Sequence, residues 1–379
     1  MAGEEAGVCT VPMLRAIQAG RMEMKLPPRR RRGLAPRLAL GLLLVLAALG
    51  AGHAVLWRFM AAQLEAGLET WVQIRRAQGW RVEHAPPVRG GWPLSATLSL
   101  ARLRLEGGRA TLPGGLVFES ERVVLRVSLP RLNRLRVEMP GAQRLRLGGA
   151  EWRFAADELV ALVPLEPDTP PREALVLAER LRLSTPGGPL EAGSLSFSAT
   201  ASATATEEEP ALLLTLAAEA IDLPAAPQGA GGAFGRRIAQ LSAEAALSGP
   251  VPPGRVPAQR AEAWRDGGGS LELRSLQLRW GPAELDAAAT LALDEALQPM
   301  GAGTLRLTGA TETLEALTAA GVVGRRASGT ARIMLPLLSR PAPGGGPQTL
   351  EVPVTVEDRT LSLARLPVMR FPAWEWPRP

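Results

Sequence analysis

The side chains that most often catalyse reactions near neutral pH are scarce in this sequence. Histidine occurs twice, as His53 and His84, and cysteine once, as Cys9. A Ser–His–Asp or Cys–His arrangement would have to use His84, because His53 lies in a strongly apolar stretch. No Gly-x-Ser-x-Gly elbow is present, and spacing singles out no carboxylate pair among the 37 acidic residues. We therefore expect a protein that is not an enzyme and has no catalytic residues.

Cofactor and metal motifs are equally scarce. A single cysteine excludes a disulfide within the chain and a Cys-rich zinc or iron–sulfur site. There is no Gly-x-x-x-x-Gly-Lys-Ser/Thr phosphate loop, and the glycine runs at 229–232 and 267–269 lack the spacing of a dinucleotide-binding turn. The acidic run at 207–209 is typical of a solvated turn. We expect no cofactor, no cofactor-binding residue and no metal ligand.

The basic residues do not form the pattern that nucleic-acid binding needs. They number 43 against 37 acidic residues. Beyond one N-terminal cluster the arginines are spread thinly and alternate with leucine, which is typical of solvated strand faces. Nucleic-acid surfaces combine a compact basic patch with stacking aromatic side chains. We expect no nucleic-acid partner.

One apolar segment is long enough to cross a membrane. Residues 38–57 carry no charge and would form a helix about 30 Å long, the thickness of a bilayer's hydrocarbon core. Arginines at 29–32 and Arg37 precede it, and the positive-inside rule keeps them cytoplasmic. We expect residues 1–37 to be a disordered, basic cytoplasmic segment, with Met22 or Met24 as a possible true start.

Two fates of the apolar segment remain open. Gly52-His53-Ala54 resembles a signal-peptidase site, so cleavage is one alternative. The length of the segment favours an uncleaved anchor, because signal peptides have shorter apolar cores. We expect a single-pass protein of a bacterial inner membrane, with the body after Trp57 in the periplasm.

A second helix is predicted at 58–79, directly after the anchor. Apolar residues recur there at steps of three or four, as in Met60, Leu64 and Leu68, and Gly79 supplies a stop. Beyond residue 80 the pattern has period two, with frequent glycine and proline. Such alternation is typical of half-buried antiparallel strands. We expect strands at 94–105, 116–127, 132–139, 143–147, 175–183, 190–198, 211–217, 271–279, 283–293, 303–308 and 349–356.

The predicted fold is mainly β: an extended, curved antiparallel sheet with a few short helices. The helices are expected near 258–265, 311–320 and 325–338. The glycine- and proline-rich loop at 222–235 is the best candidate boundary between a β-rich N-terminal half, 80–222, and a C-terminal half, 236–379. The latter ends in an extended tail with Trp374 and Trp376, for which we favour docking on the sheet over docking on a partner.

Arg-Leu-Arg-Leu occurs three times, at 102–105, 144–147 and 180–183. In a strand each copy places its leucines on one face and its arginines on the other. The repetition indicates a sheet built by stacking similar strands. Because such a sheet has a wide apolar face and few predicted helices to cover it, we expect something else to cover it.

Several segments, taken in order, resemble the bacterial family of domain of unknown function 2125. They begin with Trp57-Arg58-Phe59 and Gln78-Gly79-Trp80-Arg81-Val82, followed by Gly90-Gly91-Trp92-Pro93-Leu94. They continue with Trp280-Gly281-Pro282 and end with Leu361-Ser362-Leu363 and Leu366-Pro367. The segment 283–307, predicted to form two strands joined by a turn, also resembles AsmA-like envelope proteins. That second resemblance implies phospholipid traffic or envelope assembly and transfers no site residue.

Two functions follow as hypotheses. The first is lipid binding or transport in maintenance of the cell envelope, with the bilayer and a phospholipid as partners. The second is a scaffold for envelope proteins, whose sheet packs on itself and binds no ligand. The identity of the ligand, the protein partners and the oligomeric state are not encoded in any motif that we recognise.

The positive-inside rule gives a testable topology. A reporter active only in the periplasm, fused after residue 379, should be active, because the arginines at 29–32 and Arg37 retain the N-terminus in the cytoplasm. The matched control is a cytoplasm-active reporter fused at the same position. Activity from the cytoplasmic reporter alone would overturn the orientation.

Overall fold

The computed structural model describes residues 34–376 apart from short gaps. The gaps are 109–114, 148–149, 166–171, 186, 203–204, 206–209, 225–229, 250, 253–255, 325–327, 330–331, 336–338 and 343–345. Most of the basic N-terminal segment, Cys9, the acidic run at 207–209 and the last three residues therefore lie outside the described residues. Two compact units divide between Gly52 and His53.

Helix α1 (Leu34–Ala77) is continuous over 44 residues and contains both predicted helical segments. It is the one helix of the described chain that is long and apolar enough to cross a membrane. It ends in a Schellman motif: Gly79 has a φ of 85°, the Trp80 amide donates to the Arg75 carbonyl, and the Gly79 amide donates to that of Arg76. A left-handed residue is needed there, and glycine takes that conformation without a steric cost.

The rest of the described chain is mainly β, as predicted. Its strands are β1 (Arg81–Glu83), β2 (Val88–Gly90), β3 (Ser95–Gly107), β4 (Leu116–Ser128), β5 (Arg134–Glu138), β6 (Ala142–Leu147), β7 (Ala150–Ala155), β8 (Glu158–Pro164), β9 (Glu173–Thr185), β10 (Gly188–Ala201), β11 (Leu212–Asp222), β12 (Arg237–Leu247), β13 (Leu271–Trp280), β14 (Ala283–Leu293), β15 (Pro299–Thr308), β16 (Ser339–Ala342), β17 (Gly346–Glu357), β18 (Thr360–Leu363) and β19 (Leu366–Arg370).

These strands form a single antiparallel sheet in which most strands pair with the next strand in the chain or the next but one. From β9 to β15 each strand pairs with the next, and β17, β18 and β19 continue the order. Strands β5 and β6 together flank β4, and β8 and β7 together flank β9, so each pair behaves as one long interrupted strand. The topology is a meander.

The remaining helices are short. They are α2 (Ala230–Ala233), α3 (Pro257–Asp266) and α4 (Ala310–Ala319), and the last two lie where helices are predicted. Within the predicted segment 325–338, the described residues 328–329 and 332–335 are helical. Strands β11 and β12 pair across the loop at 222–235, so the sheet continues through the position favoured as a domain boundary.

Helix α1 covers one end of the sheet. Leu68 and Val72 of the helix pack on Leu98, Leu100 and other residues of β3 and β4 in the largest buried cluster. Nearer the apolar run, Met60 and Ala61 pack on Ala96 and Val127. The apolar stripe of the helix is thus occupied by the protein's own sheet, which is the role expected for a core-facing stripe.

A line of backbone irregularities crosses the sheet. Arg102 lies opposite Glu121 with a φ of 53°, and Arg180 lies opposite Gly193 with a φ of 46°. Gly193 in turn lies opposite Ala220, whose φ is 52°. Two of the three Arg-Leu-Arg-Leu copies therefore begin at a left-handed residue in the same line.

These irregularities shift the alternation by one residue. Leu98, Leu100, Leu103 and Leu105 all belong to one cluster, although three residues separate Leu100 from Leu103. In an uninterrupted strand that spacing would place Leu100 and Leu103 on opposite faces. The left-handed residue between them returns Leu103 to the face that Leu100 occupies, so the apolar face continues along the strand.

The C-terminal tail docks on the turn between β14 and β15. The Trp376 indole donates to the Leu297 carbonyl at 2.9 Å, and the Trp374 amide donates to Oε1 of Gln298 at 2.8 Å. Residues 371–376 have no regular secondary structure, as predicted for this proline-rich segment. Trp374 remains 62% exposed.

Truncation of the core beneath α1 should destabilise the protein. Leu98→Ala removes a side chain with no solvent exposure and should lower the free energy of unfolding by about 2–5 kcal/mol, the usual cost of a cavity. Leu177→Ala, at a position 37% exposed, is the control and should cost much less. The denaturant midpoint in detergent measures both. Equal shifts would contradict the placement of the core.

Candidate functional site: the apolar face of the sheet

Strand register places apolar side chains in a continuous row across the sheet. Each residue of this central row is the cross-strand partner of the next, from β3 to β17. The central row consists of Leu98, Leu125, Val137, Ala161, Val176, Phe197, Leu216, Ala243, Leu276, Ala287, Leu305 and Val352. Partners opposite each other share a face, so these residues define one apolar face.

The opposite face is more polar, although it carries some aliphatic side chains such as Leu162 and Leu175. Arg126 pairs with Arg136, and farther along the sheet Ser198, Thr215 and Glu244 are successive partners. Ion pairs link side chains on this face: Arg104 contacts Glu119, and Arg144 lies 3.5 Å from the same carboxylate. The sheet is therefore amphipathic: charged and polar side chains predominate on one face, and aliphatic side chains predominate on the other.

Burial differs along the apolar face. Leu98, next to α1, has no exposure, whereas Val176, Phe197, Leu216 and Leu276 are only half-buried. The same half-burial applies to other large aliphatic residues of this face beyond β8, namely Leu183, Leu195, Leu214, Leu241, Leu278, Leu285, Leu291, Leu305, Leu307, Val352, Val354, Val356, Leu361 and Leu363. We call the part from β9 to β18 the open apolar face. In the described chain it has no covering element comparable to α1.

The short helices leave the open apolar face largely without cover. Helices α3 and α4 are ten residues each, and their buried residues are small or polar: Ala261 in α3, and Ala310 and Thr313 in α4. Some self-packing occurs, because Ala192, Ala218 and Ile221 form a third buried cluster with leucines around them. That cluster is confined to one end of β9 to β12.

Leu103 and Leu145, which belong to two of the Arg-Leu-Arg-Leu copies, have different surroundings. Leu103 is 8% exposed and belongs to the cluster beneath α1, so a charge there would disrupt the core. Leu145 is half-buried between Phe118 and Trp152, its partners in β4 and β7. Leu103 is therefore unsuitable as a probe of ligand binding, and residues of the central row beyond β8 replace it.

The two histidines are not brought together. His84 Nδ1 donates to the Ala85 carbonyl at 2.9 Å, a local contact. His53 Nε2 donates to the Pro93 carbonyl at 2.7 Å, and its ring lies 4.9 Å from that of Trp92. Within the described residues no group of three or more His, Cys, Asp or Glu side chains is placed to hold a metal ion. The expected lack of catalysis and of cofactors stays a prediction.

His53 and Trp57 instead attach the sheet to the end of the apolar run. The Trp57 indole donates to the Ser95 carbonyl at 2.9 Å, and its ring meets that of Trp92 edge-on at 5.9 Å. Together with the His53 contacts, this fixes the turn at 91–94 beside helix residues 53–57. The sequence identifies the aromatic residues but not their association, since 35 positions separate Trp57 from Trp92.

Fold and surface together define a class: a mainly β protein with one N-terminal helix able to cross a membrane and a sheet with one open apolar face. Within that class, the chain belongs to the bacterial family of domain of unknown function 2125, described as an uncharacterized protein conserved in bacteria. The family model matches residues 57–372 and confirms the family resemblance inferred from the sequence. No curated protein and no solved structure shows significant similarity to the chain.

On the polar face, Glu138 gives the protein a pH-dependent contact. Its carboxylate accepts hydrogen bonds from Arg126 Nε at 2.8 Å and Arg136 Nε at 3.0 Å. Burial raises the pKa of Glu138, but the hydrogen bonds and charges of the two arginines outweigh burial and hold its pKa below the ordinary value of 4.5. A lowered folded-state pKa contributes stability above pH 4.5, and this contribution is lost as the pH falls through the folded-state pKa.

Glu138→Gln should therefore lower the free energy of unfolding at pH 7, by about 1–2 kcal/mol for the lost charge-assisted hydrogen bonds. The difference from wild type should shrink at pH values below 4.5, where wild-type Glu138 also becomes protonated. Denaturant midpoints across this pH range measure it. Glu351→Gln is the control, because its pair with Arg306 is more than half exposed on both sides. A pH-independent difference would contradict the pKa argument.

Proposed function

We propose that this protein is a non-enzymatic lipid-binding protein of the bacterial cell envelope, anchored in the inner membrane with its sheet in the periplasm. The observation that carries the proposal is the open apolar face. A sheet with one side of half-buried leucine, valine and phenylalanine is unfavourable in water, at about 25 cal/mol per Å² of exposed apolar surface.

The dimensions favour an elongated apolar ligand. The nine strands of the open apolar face, β9 to β15 with β17 and β18, are spaced about 4.8 Å apart and extend it about 40 Å along the sheet, farther than the hydrocarbon core of a bilayer is thick. Acyl chains are flexible and need no specific polar contact, which suits a face built from aliphatic side chains. The function we propose is passive: acyl chains lie against the open apolar face, headgroups stay in water, and no bond is made or broken.

The anchor supports lipid rather than a soluble apolar molecule. Helix α1 contains a segment able to cross a membrane, and its continuation packs on β3 and β4. A body tethered this way is always next to lipid, so phospholipid is the apolar ligand at highest local concentration. The resemblance of the segment 283–307 to AsmA-like proteins also favours a lipid ligand, as an analogy of fold.

A scaffold for envelope proteins is the second candidate. Within the described residues, strand β19 pairs with β18 alone, and Leu366 and Met369 on it are 70% and 48% exposed. An open strand edge with exposed apolar side chains is a known mode of strand addition by another chain. This function requires no lipid on the apolar face, so lipid binding separates the two candidates.

Lipid binding should depend on the open apolar face. Replacing Leu216, Leu276 and Leu305 with glutamine should reduce the phospholipid that copurifies with the full-length protein on the order of half or more, because polar amides would have to be desolvated against acyl chains. Quantitative lipid mass spectrometry measures this. The matched control replaces Leu175, Leu177 and Leu213, leucines of the opposite face, with glutamine and should retain lipid.

The outcome decides between the two functions. A folded wild-type protein that binds no phospholipid, or equal retention by both triple variants, would contradict the lipid-binding proposal and favour the scaffold. Thermal unfolding of the two variants is measured in parallel, so that loss of lipid is not confused with loss of fold.

A further inference from the structure

Two turns lie together at the end of the sheet beside Trp57. The turn at 91–94 leads into β3, and the turn at 129–133 joins β4 to β5. The Leu129 amide donates to the Leu94 carbonyl at 3.2 Å, which ties the turns together. Both therefore lie beside the helix where its apolar run ends, at the level expected for the membrane surface.

Apolar side chains on these turns point into solvent. Trp92 is 52% exposed, Leu94 is 73% exposed and Leu132 is 42% exposed. Isolated exposed leucines need no explanation, but three large apolar residues on adjoining turns form a patch. Tryptophan is enriched at the membrane–water interface, where its ring fits the headgroup region. The patch lies beside Trp57, whose ring contacts that of Trp92.

A basic pocket of about 440 Å³ adjoins the patch. Four arginines, at 126, 131, 134 and 136, line it with Ser128, Leu129, Pro130 and Leu162, and no acidic side chain is among its lining residues in the described chain. Arg126 and Arg136 are ion-paired with Glu138. Within the described residues, Arg131 and Arg134 are exposed and form no ion pair, so their charge is available to a ligand.

We propose that this pocket binds the phosphate headgroup of an anionic phospholipid at the membrane surface. The inference rests on the proposed function and deepens it by naming the headgroup class and the place where lipid meets the sheet. Arginine suits the role because its planar guanidinium donates two parallel hydrogen bonds to a phosphate. Arg131 and Arg134 are the binding residues, and Trp92, Leu94 and Leu132 hold the pocket against the bilayer.

Position commits the site to lipid rather than to a soluble phosphate. A soluble anion gains nothing from flanking apolar side chains, whereas a phospholipid presents phosphate and acyl chain within one molecule. Anionic lipids also concentrate negative charge at the surface, within the Debye length over which Arg131 and Arg134 act.

The test titrates full-length protein, purified in non-ionic detergent and delipidated, with dioleoyl phosphatidylglycerol or dioleoyl phosphatidylcholine. Native mass spectrometry gives both affinities. Wild type should prefer phosphatidylglycerol, and R131Q/R134Q should weaken its binding on the order of tenfold, with little effect on phosphatidylcholine. R365Q/R370Q, which removes two exposed arginines elsewhere that form no ion pair in the described chain, should bind as wild type does.

Three results would overturn the site. They are unchanged phosphatidylglycerol binding by R131Q/R134Q, an equal loss in R365Q/R370Q, and displacement of the lipid by inorganic phosphate at equal concentration. If the double variant does not fold, R131Q alone decides, because Arg131 lies in a turn outside the strands; a severalfold loss is expected. The glutamine triple variant of the open apolar face separates the two proposals, since it should lower the binding of both lipids alike.

Discussion

An antiparallel sheet with one apolar side cannot leave that side in water, and most features of this protein answer that constraint. At β3 and β4 the answer is internal, because the continuation of helix α1 lies on the sheet and buries Leu98 and Leu100 completely. Farther along the sheet the described chain supplies no such helix. The half-buried residues beyond β8 are the observation on which the proposed lipid-binding function rests.

The long strands keep one continuous apolar side only because left-handed residues interrupt their regular alternation. Strands of eleven to fourteen residues twist, and the line of irregularities at Arg102, Arg180 and Ala220 interrupts β3, β9 and β11 at the same level. Each interruption shifts by one residue which side chains point to the apolar face. The sequence matches this shift with a spacing of three residues between successive apolar positions, as between Leu100 and Leu103. Sequence and backbone therefore agree on one face across the whole strand.

The sequence was sufficient for the long strands with large aliphatic residues, and for helices α1, α3 and α4. It was insufficient for β12, where the residues on the apolar face include Ala243 and Ala245, whose strand propensity is low. Strands β7 and β8 were also missed, because the interruption between them breaks the alternation. The basic pocket depends on Arg131 in a turn and on Arg134 at the start of β5, and the position of that turn against a distant helix is a tertiary property. In the sequence these two arginines resemble any other solvated arginine.

The meander also governs how the chain reaches this structure. Most pairings join strands that are adjacent or next but one in the chain, so most strand contacts are local in sequence, although residues 309–345 lie between the paired strands β15 and β17. Once β3 and β4 have docked on α1, each later strand can pair with the edge of the sheet that has already formed. A chain that emerges with its N-terminus first can thus form the sheet one strand at a time, in the order of synthesis. The unpaired edge of the newest strand is then open to pairing with another chain at every stage, and β19 is the last strand to be added.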